Sequence, residues 1–323
     1  MARADVIILN YNGLRFLGPC LTALRAQTYH DFRITLVDNG SSDGSVELVR
    51  AEFPEVCIIA LAKNLGFCVG NNRGIEATSG EYVALLNNDT EVAPTWLQVL
   101  ITTLDHYPKV GFCASKMIRL SDRATVDTAG DVFYVCGVGG KRGEGEPAEH
   151  YTEPEQVFGA CAGAALYRRS MLDKIGLLDA DLFAMDEDID LSFRAQLQGY
   201  QCQYVPEAIV YHHVSGSFGM GSGKSIGLTR RNMLEVLIKN MPVSLLLKYA
   251  PLILGYYIGG DIYYSLRGYA KHILWARWEN LKRFPHSLAK RRIIQHNRTI
   301  STRELDALLI TGCRARIFIT LRR

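Results

Sequence analysis

Neither of the common glycine-rich phosphate loops occurs in these 323 residues: no Gly-x-Gly-x-x-Gly follows the first apolar run, and Gly-x-x-x-x-Gly-Lys-Ser/Thr is absent. Such loops wrap backbone N–H groups around a pyrophosphate, so their absence argues against a dinucleotide-dependent dehydrogenase and a P-loop nucleotidase. The glycines of "GVGGKRG" (137–143) lack the strand-to-helix setting of such a loop. A nucleotide site here has to be built from side chains. Cys-x-x-Cys is missing too, although there are eight cysteines, at 20, 57, 68, 113, 136, 161, 202 and 313, many among apolar neighbours as in "GFCASKM". The start "MARADVIILN" shows no separate apolar segment and cleavage site, so reduced, mostly buried thiols in a cytosolic compartment are expected rather than a disulfide scaffold. Glycine (29) and proline (10) are too few to suggest disorder. No apolar run is long enough to span a bilayer unaided, the longest uninterrupted stretch near the C-terminus being 249–258.

Charge is unevenly spread. Residues 1–266 carry 22 Lys/Arg against 30 Asp/Glu, whereas residues 267–323 carry 14 against 3. An acidic body with a basic tail points to an anionic partner for the tail, lipid headgroups or nucleic acid, with a solvated basic helix as the plainer alternative. The tail follows "PVSLLLKYAPLILGYYIGGDIYYSLRGYA", and its Trp, Tyr, Lys and Arg residues suit a membrane interface. Surface-bound or half-inserted amphipathic helices are expected over 241–323, or a helical subdomain docked on the body.

The first hundred residues alternate short apolar runs with helix-periodic segments: "DVIILN", "FRITLVD", "VCIIALA" and "EYVALLNNDTEV" read as strands, and "LRFLGPCLTALRAQTY", "SVELVRAEF", "VGNNRGIEATSG" and "PTWLQVLITTLDHY" as helices, the last with Pro94 in its first turn. That alternation predicts βαβ units and a mostly parallel sheet flanked by helices, in which ligands bind beyond the carboxyl ends of the strands. Polar residues gather at those ends: Asn10 and Asn12, Asp38, Asn64, then Asn87, Asn88 and Asp89. Turn chemistry explains one such group; their recurrence at successive strand ends fits a single site better. Further on, 127–156 is glycine-rich and charged and reads as an excursion or loop, and 159–165 as a small-residue strand.

Individual residues admit two readings each. Asp38 is a turn aspartate, or accepts hydrogen bonds from a pyrimidine imide or a ribose. Asn64 and Asn72 carry the same ambiguity, and Arg73 could meet a phosphate. Asn87 and Asp89 form an Asn-x-Asp that can offer oxygens to Mg2+ or Mn2+, which usually keep waters and share substrate phosphates. In "MDEDIDLSFR", four acids crowd into five positions (Asp186, Glu187, Asp188, Asp190). Asp188 or Glu187 caps the following helix, or one acid serves as a general base with a raised pKa. His212 and His213 are metal ligands or core histidines.

Taken in order, "VIILNYNG", "LVDNGSSDGS", "NLGFCVGNNRGI", "YVALLNNDTEV", "GACAGAALYRRSMLDKIGLLDADLFAMDEDIDLSFRAQLQGY" and "VPEAIVYHH" resemble the motifs of family 2 glycosyltransferases, in particular the bacterial rhamnosyltransferase-like branch. The resemblance covers about residues 3–240, and "RRNMLEVLIKNMP" and "RRIIQHNR" extend it. It implies an α/β GT-A fold with a mostly parallel central sheet and a C-terminal helical appendage. The domain would span 1–240, with a nucleotide-binding half (1–110) and an acceptor and catalytic half (111–240), and 241–323 would be a basic, membrane-associated helical region. Asn10, Asn12, Asn64, Arg73, Asn87 and Asn88 would border the nucleotide and Asp38 would read the pyrimidine. Asp89 stands at the metal position of the family's Asp-x-Asp; Asn87 departs from that motif, which shifts the metal onto Asp89. Asp188 matches the catalytic base, 159–165 would lie beside the acceptor, and His212 fits the metal-side histidine better than His213.

The implied activity is metal-dependent inverting transfer, with Mg2+ or Mn2+, from a dTDP- or UDP-linked sugar to a hydroxyl of a lipid-linked or polysaccharide acceptor in cell-surface glycan synthesis. L-rhamnose is the expected sugar; galactofuranose, glucose and N-acetylhexosamines are the alternatives. The expected location is cytoplasmic, peripheral on the inner face of the cell membrane, without nucleic acid. Competing readings are a nucleotide-sugar binder without turnover, a nucleotidyltransferase and a nucleic-acid binder. The second wants a Gly/Lys/Arg-rich loop after the first strand where "NYNGLRF" stands. The third leaves the acidic body unexplained.

Overall fold

The computed structural model describes residues 2–214 and 221–311; Cys313 and the last basic residues of the tail lie outside that range. The first half runs β1 (Ala4–Asn10), α1 (Leu14–Arg25), β2 (Phe32–Asp38), α2 (Ser45–Glu52), β3 (Cys57–Ala60), α3 (Phe67–Glu76), β4 (Tyr82–Asn87), β5 (Thr90–Val92) and α4 (Trp96–His106). The anticipated fourth strand is therefore two strands, broken at Asn88 and Asp89. Pro94 precedes α4 rather than sitting in its first turn. Strands β3, β2, β1 and β4 pair in parallel in that order. Val6 and Ile8 of β1 pack into one apolar cluster with Leu17, Leu21, Trp96 and Leu100, and Ile7 packs into another with Val37 and Val83. Successive side chains leave a strand on opposite faces. A parallel strand buried on both faces therefore reads as a continuous apolar run rather than an alternating one.

The second half adds β6 (Val110–Arg119), β7 (Asp122–Thr128), β8 (Asp131–Tyr134), β9 (Val138–Lys141), β10 (Glu155–Val157), β11 (Ala164–Arg168), α5 (Arg169–Ile175), α6 (Glu187–Leu197) and β12 (Gln201–His212). Strand β11 enters the sheet antiparallel between β4 and β6, and β12 runs parallel to β6. Two expectations are corrected here. Residues 127–156 are not a loop. They end β7 and build the β8–β9 hairpin and β10, with Val132, Phe133, Val135, Cys136 and Val138 in the core. Their glycines serve packing: a Cβ on Gly139 would lie 2.5 Å from the Ile189 side chain, so the hairpin approaches α6 as only glycine allows. Residues 159–165 are a strand only from Ala164; the preceding stretch is irregular apart from a bridge between Gly159 and Asp131.

The chain closes with α7 (Gly223–Asn240), α8 (Val243–Lys248), α9 (Ala250–Tyr264), α10 (Ala270–His296) and α11 (Thr302–Leu308). These helices are docked rather than detached. Asp261 of α9 accepts from Arg230 of α7 at 2.8 Å and from Arg277 of α10 at 2.7 Å, and Arg291 of α10 donates to the Met241 carbonyl at 2.7 Å. Their outer surface exposes Leu252, Leu254, Ile258, Ile262, Leu266, Leu274 and Trp278. Among the described residues no helix is long and apolar enough to cross a membrane.

Candidate active site

Parallel pairing brings the strand ends to one edge: Asn10 of β1 stands opposite Asp38 of β2 in register, and Leu9 opposite Asn87 of β4. The Asp38 carboxylate is buried; it accepts from Asn10 Nδ2 at 3.1 Å and from the Ser41 N–H at 2.9 Å. Asn10 Oδ1 in turn accepts from Asn88 Nδ2 at 2.6 Å. Asn88 is thus a buried brace behind the strand ends, held against Gly13, where a Cβ would fall 2.1 Å from its amide. Asn12 is exposed and left-handed (φ 50°); its N–H donates to Ser41 Oγ and its Oδ1 accepts from the Ser42 N–H, both at 2.9 Å. Asn64 Oδ1 accepts from Asn39 Nδ2 at 3.1 Å and the Gly66 N–H at 2.8 Å. Asn39 and Ser41 were not singled out in the sequence, because "DNGSSDGS" is full of residues that suit a turn equally well.

Arg73 does not join this cluster. It lies exposed on α3 and pairs with Glu76 at 3.2 Å. The side chain of Asn72 is used elsewhere, clamping the backbone of Leu178 by donating at 2.8 Å and accepting at 3.1 Å.

At the β4–β5 break, β5 pairs with the end of β12 so that His212 stands opposite Thr90. His212 Nε2 lies 3.3 Å from Asp89 Oδ1, and its Nδ1 lies 2.8 Å from Asp127 Oδ2. Lys141 of β9 donates to both Asp127 oxygens at 2.8 and 2.9 Å. Burial alone would push the His212 imidazole down; hydrogen bonds and charge from Asp127 and Asp89 outweigh it, and its pKa is raised to about 9. Burial likewise opposes ionisation of Asp127, but His212 and Lys141 hold its carboxyl well below the usual range. His213 turns away, 3.6 Å from Glu91 and with its ring tilted 53° against Phe16, centroids 5.2 Å apart. The Asn87 side chain lies against Gly163, with its amide 3.0 Å from where a Cβ would be. Among the described residues no group of three or more His, Cys, Asp and Glu side chains is arranged for a metal. Asp89 and His212 nevertheless suit a divalent cation that takes its remaining oxygens from water and a diphosphate. An imidazole oriented by a second carboxylate through its other nitrogen is the usual outer-shell support of such a ligand. Neither Asp127 nor Lys141 was foreseen: both belong to the stretch that reads as a loop.

The third group sits at the start of α6. Phe183, Met185 and Asp186 have φ of 64°, 71° and 62°. Asn232 of α7 holds this strained turn by donating to the carbonyls of Leu182, Ala184 and Met185 at 3.0, 2.8 and 2.7 Å. Asp186 is the N-cap but makes no side-chain cap bond; Asp188, in the first turn, accepts from the Ile189 N–H at 2.8 Å. Asp186 Oδ2, Glu187 Oε2 and Asp131 Oδ2 are buried without a hydrogen-bond partner. Burial, followed by the Asp188 charge, pushes Asp186 up to about 8 and raises Glu187 and Asp131. Burial raises Asp188 also, opposed by the N–H groups of Ile189 and Ala162 and by Lys141. Asp190, the fourth acid, faces Arg194 at 2.9 Å and Lys239 at 2.8 Å and is structural.

Residues 5–176 match the family model for Glycosyl transferase family 2. Over 237 residues the chain is 27% identical to the N-acetylglucosaminyl-diphospho-decaprenol L-rhamnosyltransferase of Mycobacterium tuberculosis, covering 66% of this chain and 77% of that protein. It is 30% identical over 231 residues to an uncharacterised protein of Sinorhizobium fredii, covering 67% of this chain but only 25% of that one, so it spans about a quarter of that relative's length. Its fold is shared with a mannosyltransferase from Pyrobaculum calidifontis in complex with GDP-Man and Mn2+, at a TM-score of 0.56 and 16% identity, over 95% of this chain and 86% of that one. The chain belongs to glycosyl transferase family 2 and has the GT-A fold, with a mostly parallel central sheet flanked by helices.

Proposed function

We propose that the protein transfers a sugar from a nucleoside-diphosphate donor to an acceptor hydroxyl with inversion at the anomeric carbon. The observation that carries this reading is that Asn10 and Asp38 meet at adjoining strand ends, that Asp89 beyond the end of β4 meets His212, and that the Asp188 carboxyl accepts from the Ala162 N–H, one residue before the Gly163 carbonyl to which the Asn87 N–H donates. In this reading Asp38 accepts from the pyrimidine, and Asn10 and Ser41 fix the carboxylate that does so. Asn12 and Asn64 border the nucleotide. Asp89 and His212 Nε2 hold the divalent cation, which when bound offsets charge on the diphosphate leaving group. Asp188 takes the proton from the acceptor oxygen as that oxygen attacks the face of the sugar opposite the diphosphate. Asp127 sets the imidazole so that Nε2 faces Asp89, and Lys141 neutralises Asp127.

L-rhamnose is the preferred sugar, supported by the mycobacterial relative's name, with dTDP as its preferred carrier; galactofuranose, glucose and N-acetylhexosamines from UDP are the alternatives. The acceptor is a lipid-linked sugar or a growing cell-surface glycan. Purified protein with Mn2+ or Mg2+ is expected to release nucleoside diphosphate from at least one pyrimidine-diphosphate sugar, to lose that activity with EDTA and to regain it with Mn2+. No release from any such donor, over a broad set of acceptors, would leave a nucleotide-sugar binder without turnover.

The cellular site in this reading is the inner face of the membrane. The exposed apolar side chains of α9 and α10 lie among exposed Arg267, Lys271 and Lys282, a combination that suits an anionic lipid surface. The protein is expected to float with vesicles containing phosphatidylglycerol at low salt and to dissociate partly as salt screens the basic residues. Equal recovery with neutral and anionic vesicles, or none with either, removes the membrane from the reading.

A further inference from the structure

The turn that leads into α6 is costly as a stretch of chain. Phe183 has φ 64° and ψ −59°, and the Ala184 N–H donates across it to the Leu182 carbonyl at 2.8 Å. That is a γ-turn of the rarer, strained hand. Met185 (φ 71°) and Asp186 (φ 62°, ψ 8°) are left-handed as well. None of the three is glycine, so each conformation is one that a side chain disfavours. Such strain persists only where the surroundings over-determine it, and it collects at functional sites. An extended N-cap residue would start a helix without it. Here the strained turn fixes how the chain enters α6, directly before Glu187 and Asp188.

The bonds that hold the turn come mostly from the C-terminal helices. Asn232 of α7 is fully buried. Its amide binds the Leu182 carbonyl that closes the γ-turn and the Ala184 and Met185 carbonyls beyond it, all within 3.0 Å. A primary amide suits this place, because it offers two N–H hydrogens beside an acceptor oxygen. That oxygen accepts from Arg231 at 2.9 and 2.7 Å, and Arg231 also donates to the Asp181 and Leu182 carbonyls at 2.8 and 3.1 Å. Arg283 of α10 donates to the Asp181 carbonyl at 3.1 Å. From the other side the Cys68 N–H of α3 donates to the Phe183 carbonyl at 3.1 Å. Gly66 makes room for that approach, since a Cβ there would fall 2.7 Å from the same oxygen. We propose that Asn232 is a positioning residue for the transfer reaction: by pinning the 182–186 turn it places the Asp188 carboxyl for the acceptor hydroxyl, which makes α7 and α10 part of the catalytic apparatus. This rests on the reading of Asp188 as the base.

The test is a double-mutant cycle on the full chain, Asn232→Leu against Asp188→Asn. It is read as nucleoside diphosphate released from dTDP-rhamnose, UDP-glucose, UDP-galactofuranose and UDP-N-acetylglucosamine with Mn2+ and the acceptors of the donor assay. Leucine is close to asparagine in size and lacks its donors and acceptor. Asn232→Leu is expected to lower kcat at least about tenfold, because a displacement of about 1 Å at reacting groups costs up to about 100-fold. Binding of dTDP and UDP should be unchanged. In an Asp188→Asn protein the same change is expected to cost less than about twofold, since a base that is absent cannot be misplaced. Equal losses in the two backgrounds overturn the proposal and leave Asn232 a brace of the fold. Wild-type kcat in Asn232→Leu overturns it too. Wild-type turnover in Asp188→Asn instead removes the base on which the proposal rests, and no release by the wild-type protein from any donor removes both. Arg283 is 32% exposed, so if Asn232→Leu does not fold, Arg283→Met carries the same cycle. A loss of kcat that disappears beside Asp188→Asn is again the expected result, and an equal loss in both backgrounds the contrary one.

Discussion

Asp188→Asn is expected to lower kcat at least about 100-fold, the usual worth of a general base, with nucleoside-diphosphate affinity unchanged. Asparagine keeps the shape of the side chain and can still accept from the Ile189 N–H, which lies 2.8 Å from Asp188 Oδ1. What it lacks is an oxygen basic enough to take a proton. Misfolding is not the expected cause of the loss. The change removes a negative charge from beside Asp186, Glu187 and Asp131, each of which that charge pushes up. The variant should therefore unfold at a urea concentration no lower than the wild type. The pH profile adds a second check. Burial raises the Asp188 carboxyl, and the group must be ionised to act. Activity should be full above its raised pKa and fall as pH drops through it, placing the acid limb above the ordinary aspartate value of about 3.9. Wild-type turnover in a folded Asp188→Asn protein would move the base elsewhere in the site.

Lys239→Met should destabilise the fold by about 3–5 kcal/mol, the usual result of removing one partner from a buried charge cluster. Lys239 is buried in α7 and donates to Asp179 and, at 2.8 Å, to Asp190 of α6. Asp190 keeps Arg194 and Asn240 in the variant, and Asp179 keeps Lys290, but buried Asp190 and partly buried Asp179 then lack their shared cation. Burial opposes ionisation of both acids; Lys239, together with Lys290 at Asp179 and Arg194 at Asp190, outweighs it and holds both below the usual range. A depressed folded pKa contributes stability above the unfolded value and loses it as pH falls through the folded one. The wild-type advantage over Lys239→Met should therefore be largest near neutrality and shrink in acid. Urea unfolding at two pH values measures this, and a difference under about 1 kcal/mol at pH 7 would show that the cluster is better solvated than its burial indicates.

Much of the first hundred residues was readable along the chain because its information is local. Apolar runs of strand length end in Asn10, Asp38 and Asn87, and parallel pairing sends all such ends to one edge whatever the details of packing. The misreading of 127–156 has an equally physical source. Glycine signals a turn when only the neighbours in sequence are known, yet Gly139 is glycine because Ile189, fifty residues away, occupies the space of its side chain. Asp127 and Lys141 were lost with that stretch, and with them the support of His212. Arg73 shows the converse error: a basic residue in a suggestive motif can point outward, and here it pairs with Glu76 one helical turn on.

By itself, the sequence determined the βαβ order, the polar strand ends, the acid-rich helix start and the apolar, basic character of the last helices, since each depends on residues within a few positions of one another. The tertiary structure alone decided which of these meet. It separated His212 from His213 by strand register, made Asn88 a brace and turned Asp190 to Lys239. Those outcomes depend on contacts between distant segments, and local pattern carries no record of which distant side chain will fill a given space.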